Sequence, residues 1–275
     1  MTGSYETIYK ILDNRLFLNG SGAVYHYTSL EALFKILKNE SLHLTHLKYL
    51  SDFSEFELGY DLFVQSLERH LNEQGRIREG VDVSIVQVIK DSKNKAQRCS
   101  ASFSQLKDSL GQWRAYAENA QGVAIGFSVK ALEKICASNN LVFGQTVYSN
   151  KYDEIFKRLV SEFERNPREE LLVEYLSLTS CFIKHDGFSE EKEVRIVTGK
   201  NLELKNKFSN GLYIPYQELK FECNLTDLIS EIWVGPAARQ ELATRSIRLM
   251  LREFNLPQEI IRVSNIPFRI LKKYE

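Results

Sequence analysis

Apolar residues recur along the chain with two periods, which predict short strands and amphipathic helices. Alternation of apolar and polar positions predicts strands at residues 24–27, 42–45, 99–104, 122–127, 141–149, 191–197, 211–215, 229–234 and 259–263. Apolar residues three and four positions apart predict helices within 1–20 and at 30–38, 53–67, 81–93, 129–138, 151–164, 168–184 and 237–254. A further short helix carries Trp113 and Tyr116.

Two capping boxes mark the starts of helices. Thr28 is followed three residues later by Glu31, and Asp52 by Glu55, each ahead of an apolar helical repeat. In such a box the first side chain accepts a hydrogen bond from the first turn of the helix. We therefore predict that Thr28 and Asp52 are N-caps.

The order of these elements predicts the fold class. Short strands mixed with helices, without a regular βαβ rhythm, favour an α+β fold with small, mostly antiparallel sheets flanked by helices. A length of 275 residues is long for one domain and short for two. We expect one domain over residues 1–275, with an N-terminal arm at 1–22 and a closing helix and strand at 237–275.

Composition restricts the classes of partner. The chain has 36 basic and 36 acidic residues and a formal net charge of zero, which argues against strong non-specific nucleic-acid binding. It shows no apolar run of membrane-spanning length and no signal-peptide pattern at its start. Its four cysteines form no CxxC pair, and His43 and His46 lack an evident third ligand. We expect a cytoplasmic protein without membrane association or a metal site.

Charge is concentrated on the strand predicted at 191–197. Alternation puts Glu191, Glu193 and Arg195 on one face, and Val194 and Ile196 on the other. Two carboxylates and a guanidinium are costly to bury without partners. This face is therefore a solvated surface, a structural ion-pair ladder, or part of a functional site.

Polar and aromatic residues cluster at three other places. His26 lies at a strand end before a helix N-terminus, a position that favours anions and equally suits a hydrogen-bonded structural histidine. Ser102 and Ser104 flank a phenylalanine. Trp113 and Tyr116 lie three positions apart, which fits either a core stripe or a ligand contact.

The order of these motifs resembles the bacterial DUF2971 family, from about residue 24 to residue 236. The motifs that carry the resemblance are Tyr25-His26-Tyr27-Thr28-Ser29, Leu42-His43-Leu44-Thr45, Ser102-Phe103-Ser104, Trp113-Arg114-Ala115-Tyr116, the strand at 122–127, the segment at 184–195, and Val234-Gly235-Pro236. The family is known mainly as a domain of unknown function, so this resemblance by itself implies little chemistry.

More distantly, the chain is similar to the ADP-ribosyltransferase superfold. The similarity lies in a histidine followed by a hydroxyl residue on an opening strand, a Ser-aromatic-Ser middle strand, and a late strand with Glu-x-Glu. Enzymes of that superfold bind NAD in a cleft between two small sheets. The resemblance implies such a cleft here, with NAD as the substrate.

The resemblance also implies roles for single residues. His26 would hydrogen-bond the ribose beside the nicotinamide, and the neighbouring backbone, at Tyr27 and Thr28, would hold the carboxamide. Glu193, or failing it Glu191, would be the catalytic carboxylate. Ser102 or Ser104 would brace the ribose or the catalytic glutamate, and one aromatic ring among Trp113, Tyr116, Tyr27 and Tyr49 would stack on the nicotinamide. Independently of the resemblance, the charge of Arg195 would keep Glu193 ionised or bind the pyrophosphate, and Lys184 is a further candidate for a phosphate contact.

This chemistry is physically coherent. Breaking the bond between ribose and a pyridinium leaving group develops positive charge on the ribose, which a fixed carboxylate can stabilise. We hypothesise an ADP-ribosyltransferase or NAD-cleaving enzyme with an unidentified macromolecular acceptor, an activity that would suit a toxin or an antiphage effector. The alternatives are a non-enzymatic ligand- or partner-sensing module with a structural Glu/Arg network, and a nuclease-like phosphodiesterase that uses His26, Lys184 and Glu193.

Overall fold

A computed structural model of the protein describes residues 3–12, 22–50, 53–73, 83–93, 95–148, 151–199, 203–209, 211–237 and 239–268. The helices are α1 (Gly3–Leu12), α2 (Leu30–Asn39), α3 (Phe53–Glu73), α4 (Val83–Lys93), α5 (Leu110–Tyr116), α6 (Val129–Ser138), α7 (Tyr152–Arg165), α8 (Glu169–Ser180), α9 (Leu225–Leu228) and α10 (Gln240–Glu253). The strands are β1 (Ala23–Thr28), β2 (Ser41–His46), β3 (Cys99–Ser104), β4 (Val123–Ser128), β5 (Leu141–Gln145), β6 (Glu193–Thr198), β7 (Lys205–Ser209), β8 (Leu212–Lys220), β9 (Ile229–Val234) and β10 (Ile261–Val263).

The ten strands of the described residues belong to one branched sheet. Its main path runs β10-β9-β4-β1-β3-β2-β8-β7, and β6 branches from β3 and carries β5. The paired strands are antiparallel except for β9 and β10, which are parallel. The α+β class with a mostly antiparallel sheet is therefore confirmed.

Strand β3 is the branch point of the sheet. One of its edges pairs with β6 over the whole stretch from Ser100 to Ser104. The other edge is shared: β1 meets it at Ser104, and β2 meets it at Ser100 and Cys99. Among the described strands, none pairs with residues 101–103 on this second edge. The sheet is therefore split between β1 and β2.

Helices cover the two faces of the sheet. On one face, α2, α6 and α10 bury an apolar cluster that includes Leu33, Leu132 and Ile247 against the sheet. On the other face, α3, α7 and α8 form a second apolar cluster that includes Val142 of β5 and Val197 of β6. A smaller cluster on that face holds α5 against β1 through Trp113 and Tyr27.

Most predicted elements occur close to their expected positions, and the differences have local causes. The helix predicted at 168–184 ends at Ser180, because the next residues leave it to bridge Val147, whose N–H donates to the Phe182 carbonyl. Strand β7 was not predicted, because Lys205–Ser209 has no alternation of apolar residues. No described helix is both long and apolar enough to cross a membrane.

One predicted N-cap is wrong and the other lies outside the described residues. Helix α2 is capped by Ser29, whose Oγ accepts a hydrogen bond from the Ala32 N–H at 3.0 Å. Thr28 is the last residue of β1 and pairs with Val123. It therefore lies one residue before the N-cap position, which Ser29 occupies. Asp52 is not among the described residues.

The correct cap can be tested by removing each hydroxyl separately. We expect Ser29→Ala to lower the free energy of unfolding by about 1 kcal/mol, because an N–H in the first turn loses its acceptor. Thr28→Val removes a hydroxyl while keeping the branched shape that suits a strand, and we expect a smaller loss. Urea unfolding of both variants measures this, and a larger loss for Thr28→Val would contradict the assignment.

Candidate functional site

A cavity of about 280 Å³ lies where the sheet splits. It opens over β3, between α5 and the chain segment that leads into β6. The side chains that line it come from β1 (Tyr25, His26 and Tyr27), β2 (His43 and Thr45), β3 (residues 100–103), α5 (Gln112 and Tyr116), and the connecting segments and β6 (Leu50, Glu191 and Glu193). Residues far apart in the sequence, from Tyr25 to Glu193, thus meet around one concave surface.

The imidazole of His26 occupies the split itself. Its Nδ1 lies 2.9 Å from the carbonyl oxygen of Ser102, which belongs to the unpaired edge of β3. A carbonyl only accepts, so Nδ1 carries the hydrogen and Nε2 is the remaining acceptor of the neutral ring. Burial lowers the pKa of His26, and the nearby Lys207 adds to this, while the bond to Ser102 opposes it. The neutral ring is therefore favoured at pH 7.

The predicted serines have different positions. Ser102 has an exposed side chain and lines the cavity. Ser104 is buried; its Oγ donates to the carbonyl of Glu191 at 2.6 Å and accepts from the Leu106 N–H at 3.1 Å. Ser104 thus braces the backbone of Glu191.

The aromatic residues predicted as ligand contacts differ in whether they line the cavity. Trp113 is fully buried and its Nε1–H donates to Asp108. The hydroxyl of Tyr27 donates to the Leu106 carbonyl and accepts from the Ser109 N–H, so its ring lines the cavity but its hydroxyl secures a loop. Tyr116 also lines the cavity. Trp113, Tyr49 and Thr28 are not brought to the cavity wall.

Glu193 is the centre of a buried ion network. Its Oε1 accepts from Nε of Arg195 at 2.8 Å, and its Oε2 accepts at 2.8 Å from both Arg195 Nη2 and Lys184 Nζ. Burial raises the pKa of Glu193, but the charges and hydrogen bonds of Arg195 and Lys184 outweigh it and lower the pKa to about 2. Both oxygens of this carboxylate already have cationic partners.

Glu191 joins the same network from the cavity wall. Its Oε2 accepts from Lys184 Nζ at 2.7 Å, and its Oε1 accepts from the Tyr116 hydroxyl at 3.0 Å. The alternation predicted that Glu191 is part of the strand, and this prediction is wrong, because β6 begins at Glu193. Glu191 ends a 3-10 helix over Asp186–Glu191, and Lys192 then turns the chain in the left-handed region with a φ of 45°.

Lys184 and Arg195 lie behind the cavity wall. They are 1% and 4% exposed, and neither lines the cavity. Burial lowers the pKa of Lys184, but Glu193 and Glu191 raise it above its ordinary value. Arg195 also donates to the Cys181 carbonyl at 2.8 Å. These two cations therefore contact the glutamates, and the structure does not bring them to a ligand's phosphates.

Several wall residues were missed by sequence reasoning. His43 and Thr45 share one face of β2, a signal visible in the alternation of Leu42-His43-Leu44-Thr45. Tyr25, Ser100 and Gln112 carry no comparable signal, because their place at the cavity depends on how the strands pair. The described residues contain no group of three or more His, Cys, Asp or Glu that could hold a metal.

The comparisons with known proteins give one match. The model of DUF2971, a protein of unknown function, matches residues 112–196, which confirms the family resemblance over that range. The matched range includes Tyr116 and the whole Lys184–Glu193 network, whereas His26 and Ser102 lie before it. No curated protein and no solved structure matches the chain, and the resemblance to ADP-ribosyltransferases stays a prediction.

The ion network predicts a specific loss of stability. We expect Glu193→Gln to lower the free energy of unfolding by about 3–5 kcal/mol, because it leaves two buried cations without their shared carboxylate. Glu68→Gln is the control: it breaks an exposed pair with Lys90, which is worth about 0–1 kcal/mol. Urea unfolding at pH 7 compares the two, and equal losses would contradict the role of Glu193.

The same network predicts a dependence on pH. The pKa of Glu193 is lowered in the folded protein, so its contribution is complete above the ordinary carboxyl pKa and is lost as pH falls through about 2. We therefore expect the stability difference between the parent and Glu193→Gln to be constant at neutral pH and to shrink below about pH 4. A difference that grows with acidity would contradict the assigned charge.

Proposed function

We propose that the cleft binds NAD and that the protein cleaves the bond between nicotinamide and ribose, as an ADP-ribosyltransferase or a related NAD-cleaving enzyme. One observation carries the proposal: His26, which is neutral, lines the same cavity as Glu191 and Glu193, which are far from it in the sequence, at a split in the sheet. The volume of about 280 Å³ is near the lower end of small-molecule pockets, roughly 300–1,000 Å³. It suits one nucleoside-sized part of a dinucleotide.

In the proposed reaction the glycosidic bond breaks and its electron pair leaves with nicotinamide. Positive charge develops on the ribose, and water or a nucleophile of the acceptor then attacks the anomeric carbon and loses a proton. A carboxylate held in position before the reaction stabilises that charge without reorganising. The unprotonated Nε2 of His26 would accept a hydrogen bond from a ribose hydroxyl.

The hydrogen bonding favours Glu191 over Glu193 as the carboxylate that contacts the ribose. Both oxygens of Glu193 accept from buried cations, whereas the Tyr116 hydroxyl on Glu191 Oε1 comes from an exposed side chain at the cavity. A ribose hydroxyl could replace that of Tyr116. Glu193 would then be a positioning residue that holds Lys184, and through it Glu191.

The sensing module is the second candidate, and the same network supports it. A carboxylate with two cationic partners is also what a purely structural ion pair requires. In this case the cleft would bind a nucleotide without changing it. The phosphodiesterase alternative has less support, because Lys184 is buried behind the wall and holds the two glutamates.

The direct test is release of nicotinamide from NAD by the purified full chain, with and without cell lysate as the source of acceptor. We expect Glu191→Gln to reduce the rate by about a hundredfold or more, since it removes the charge that stabilises the transition state. Glu190→Gln is the matched control, because Glu190 is the exposed neighbour on the same 3-10 helix. We expect it to keep the parent's rate.

Calorimetry with NAD separates the two candidate functions. If NAD stays intact in the presence of lysate but binds measurably to the protein, the enzyme proposal is rejected in favour of the sensing module. Intact NAD without binding would reject both. If the protein does consume NAD, a toxin or antiphage role predicts that its expression depletes cellular NAD, and that Glu191→Gln prevents the depletion.

A further inference from the structure

We infer that the β2–β7–β8 side of the cleft is a subsite for a phosphate group, formed by His43 and Lys207 with His26 across the split. The inference deepens the proposed function and rests on it for the identity of the whole ligand, a nucleotide whose phosphate would occupy this subsite. The subsite itself is argued from charge and contacts around Lys207.

Lys207 is a half-buried cation without a carboxylate. Its Nζ lies 3.4 Å from Nδ1 of His43 and 5.3 Å from the ring centroid of Tyr216. No acidic side chain of the described chain forms an ion pair with it. A partly buried ammonium is costly unless an anion compensates it, so this position favours an anionic ligand.

Glu218, on the adjacent strand β8, already has other cationic partners. Glu218 accepts from Lys205, from Lys220 Nζ at 3.1 Å and from the Ser41 hydroxyl at 2.9 Å. Lys205 and Lys220 therefore pair with Glu218, and Lys207 on the neighbouring strand adds a third positive charge that has no carboxylate partner among the described residues. The chain as a whole has no net charge, so this is a local positive excess.

The two histidines of the cleft face the same cation. Burial and the charge of Lys207 lower the pKa of His43 to about 4; Lys205 and Lys35 add to this, and Glu218 opposes it. Lys207 also contributes to the lowered pKa of His26, whose ring bonds the Ser102 carbonyl and contacts Phe103. A bound phosphate would reverse this repulsion and favour protonation of both imidazoles.

The position of the subsite fits a nucleotide. His43 and Thr45 line the same cavity as Glu191 and Tyr116, and the proposed function places Glu191 at the ribose. The cleft thus has carboxylates on one wall and, on another, His43, whose Nδ1 lies 3.4 Å from the ammonium of Lys207. A ligand with hydroxyls at one end and phosphate at the other matches both.

The test uses inorganic pyrophosphate as the probe and the imidazole NMR signals of the full chain as the readout. We expect pyrophosphate to raise the pKa of His43 and His26, and Lys207→Met to weaken its binding about tenfold or more, the loss of one charged hydrogen bond. Lys205→Met is the matched control on the same strand, with an expected change below about twofold. Lys207→Arg keeps the charge, and we expect it to retain binding.

Competition identifies the source of the phosphate. NAD is expected to displace pyrophosphate, whereas nicotinamide riboside, which has no phosphate, is not. Pyrophosphate binding that is unchanged in Lys207→Met, or absent from the parent, would overturn the subsite even if NAD is cleaved. Conversely, Lys207-dependent pyrophosphate binding with intact NAD would keep the subsite and reject the enzyme, so the two failures are distinguishable.

Discussion

The buried contact between Glu193, Arg195 and Lys184 holds together the part of the fold that forms the cavity wall. Arg195 binds both oxygens of Glu193 and the carbonyl of Cys181 just after α8. Lys184 connects Glu193 to Glu191 at the end of the 3-10 helix. One ion network therefore ties a helix end, a connecting segment and β6 to the sheet. Buried charges give this geometry specificity only because each has a partner.

Strand β3 has only two edges, and this limits how its three neighbouring strands can pair with it. Strand β6 occupies one edge of β3 along its length, so β1 and β2 must share the other. A given stretch of a strand edge can hydrogen-bond only one neighbouring strand, so β1 and β2 pair with opposite ends of this edge. The backbone between them stays unpaired, and the His26 ring bonds the Ser102 carbonyl there. The cleft is thus a consequence of strand pairing, and His26 satisfies a polar group that the split exposes.

The charged segment at 184–195 contains two glutamates in different environments. Glu193 is buried and fully paired, as a structural ion pair requires, while Glu191 lies at the wall next to Tyr116. The structural interpretation holds for Glu193, and the functional role that we propose belongs to Glu191. The buried network can hold the wall carboxylate in position, which is the property that electrostatic stabilisation of a reaction needs.

Local sequence patterns were sufficient for elements whose large apolar side chains lie on one face. The apolar repeat of α6 predicted that helix at its observed residues, and the alternation of β4 predicted that strand to within one residue, because large side chains on one face leave a period in the sequence. Strand β7 left no such period, since its side chains are mostly exposed. Even the cap of α2 shifted by one residue, from Thr28 to Ser29, because the pairing of β1 with β4 commits Thr28 to the sheet.

The site depended on contacts between distant residues. Sequence motifs placed His26, Ser102 and Glu193 among the candidates, but only tertiary structure brought them to one cavity and kept Trp113 in the core. It also added His43 and, through the unpredicted β7, Lys207. The physical reason is that a side chain's hydrogen-bond partners, and hence its charge state, come from whichever strands pair beside it. Periodicity determines which face a residue is on, and strand pairing decides what that face meets.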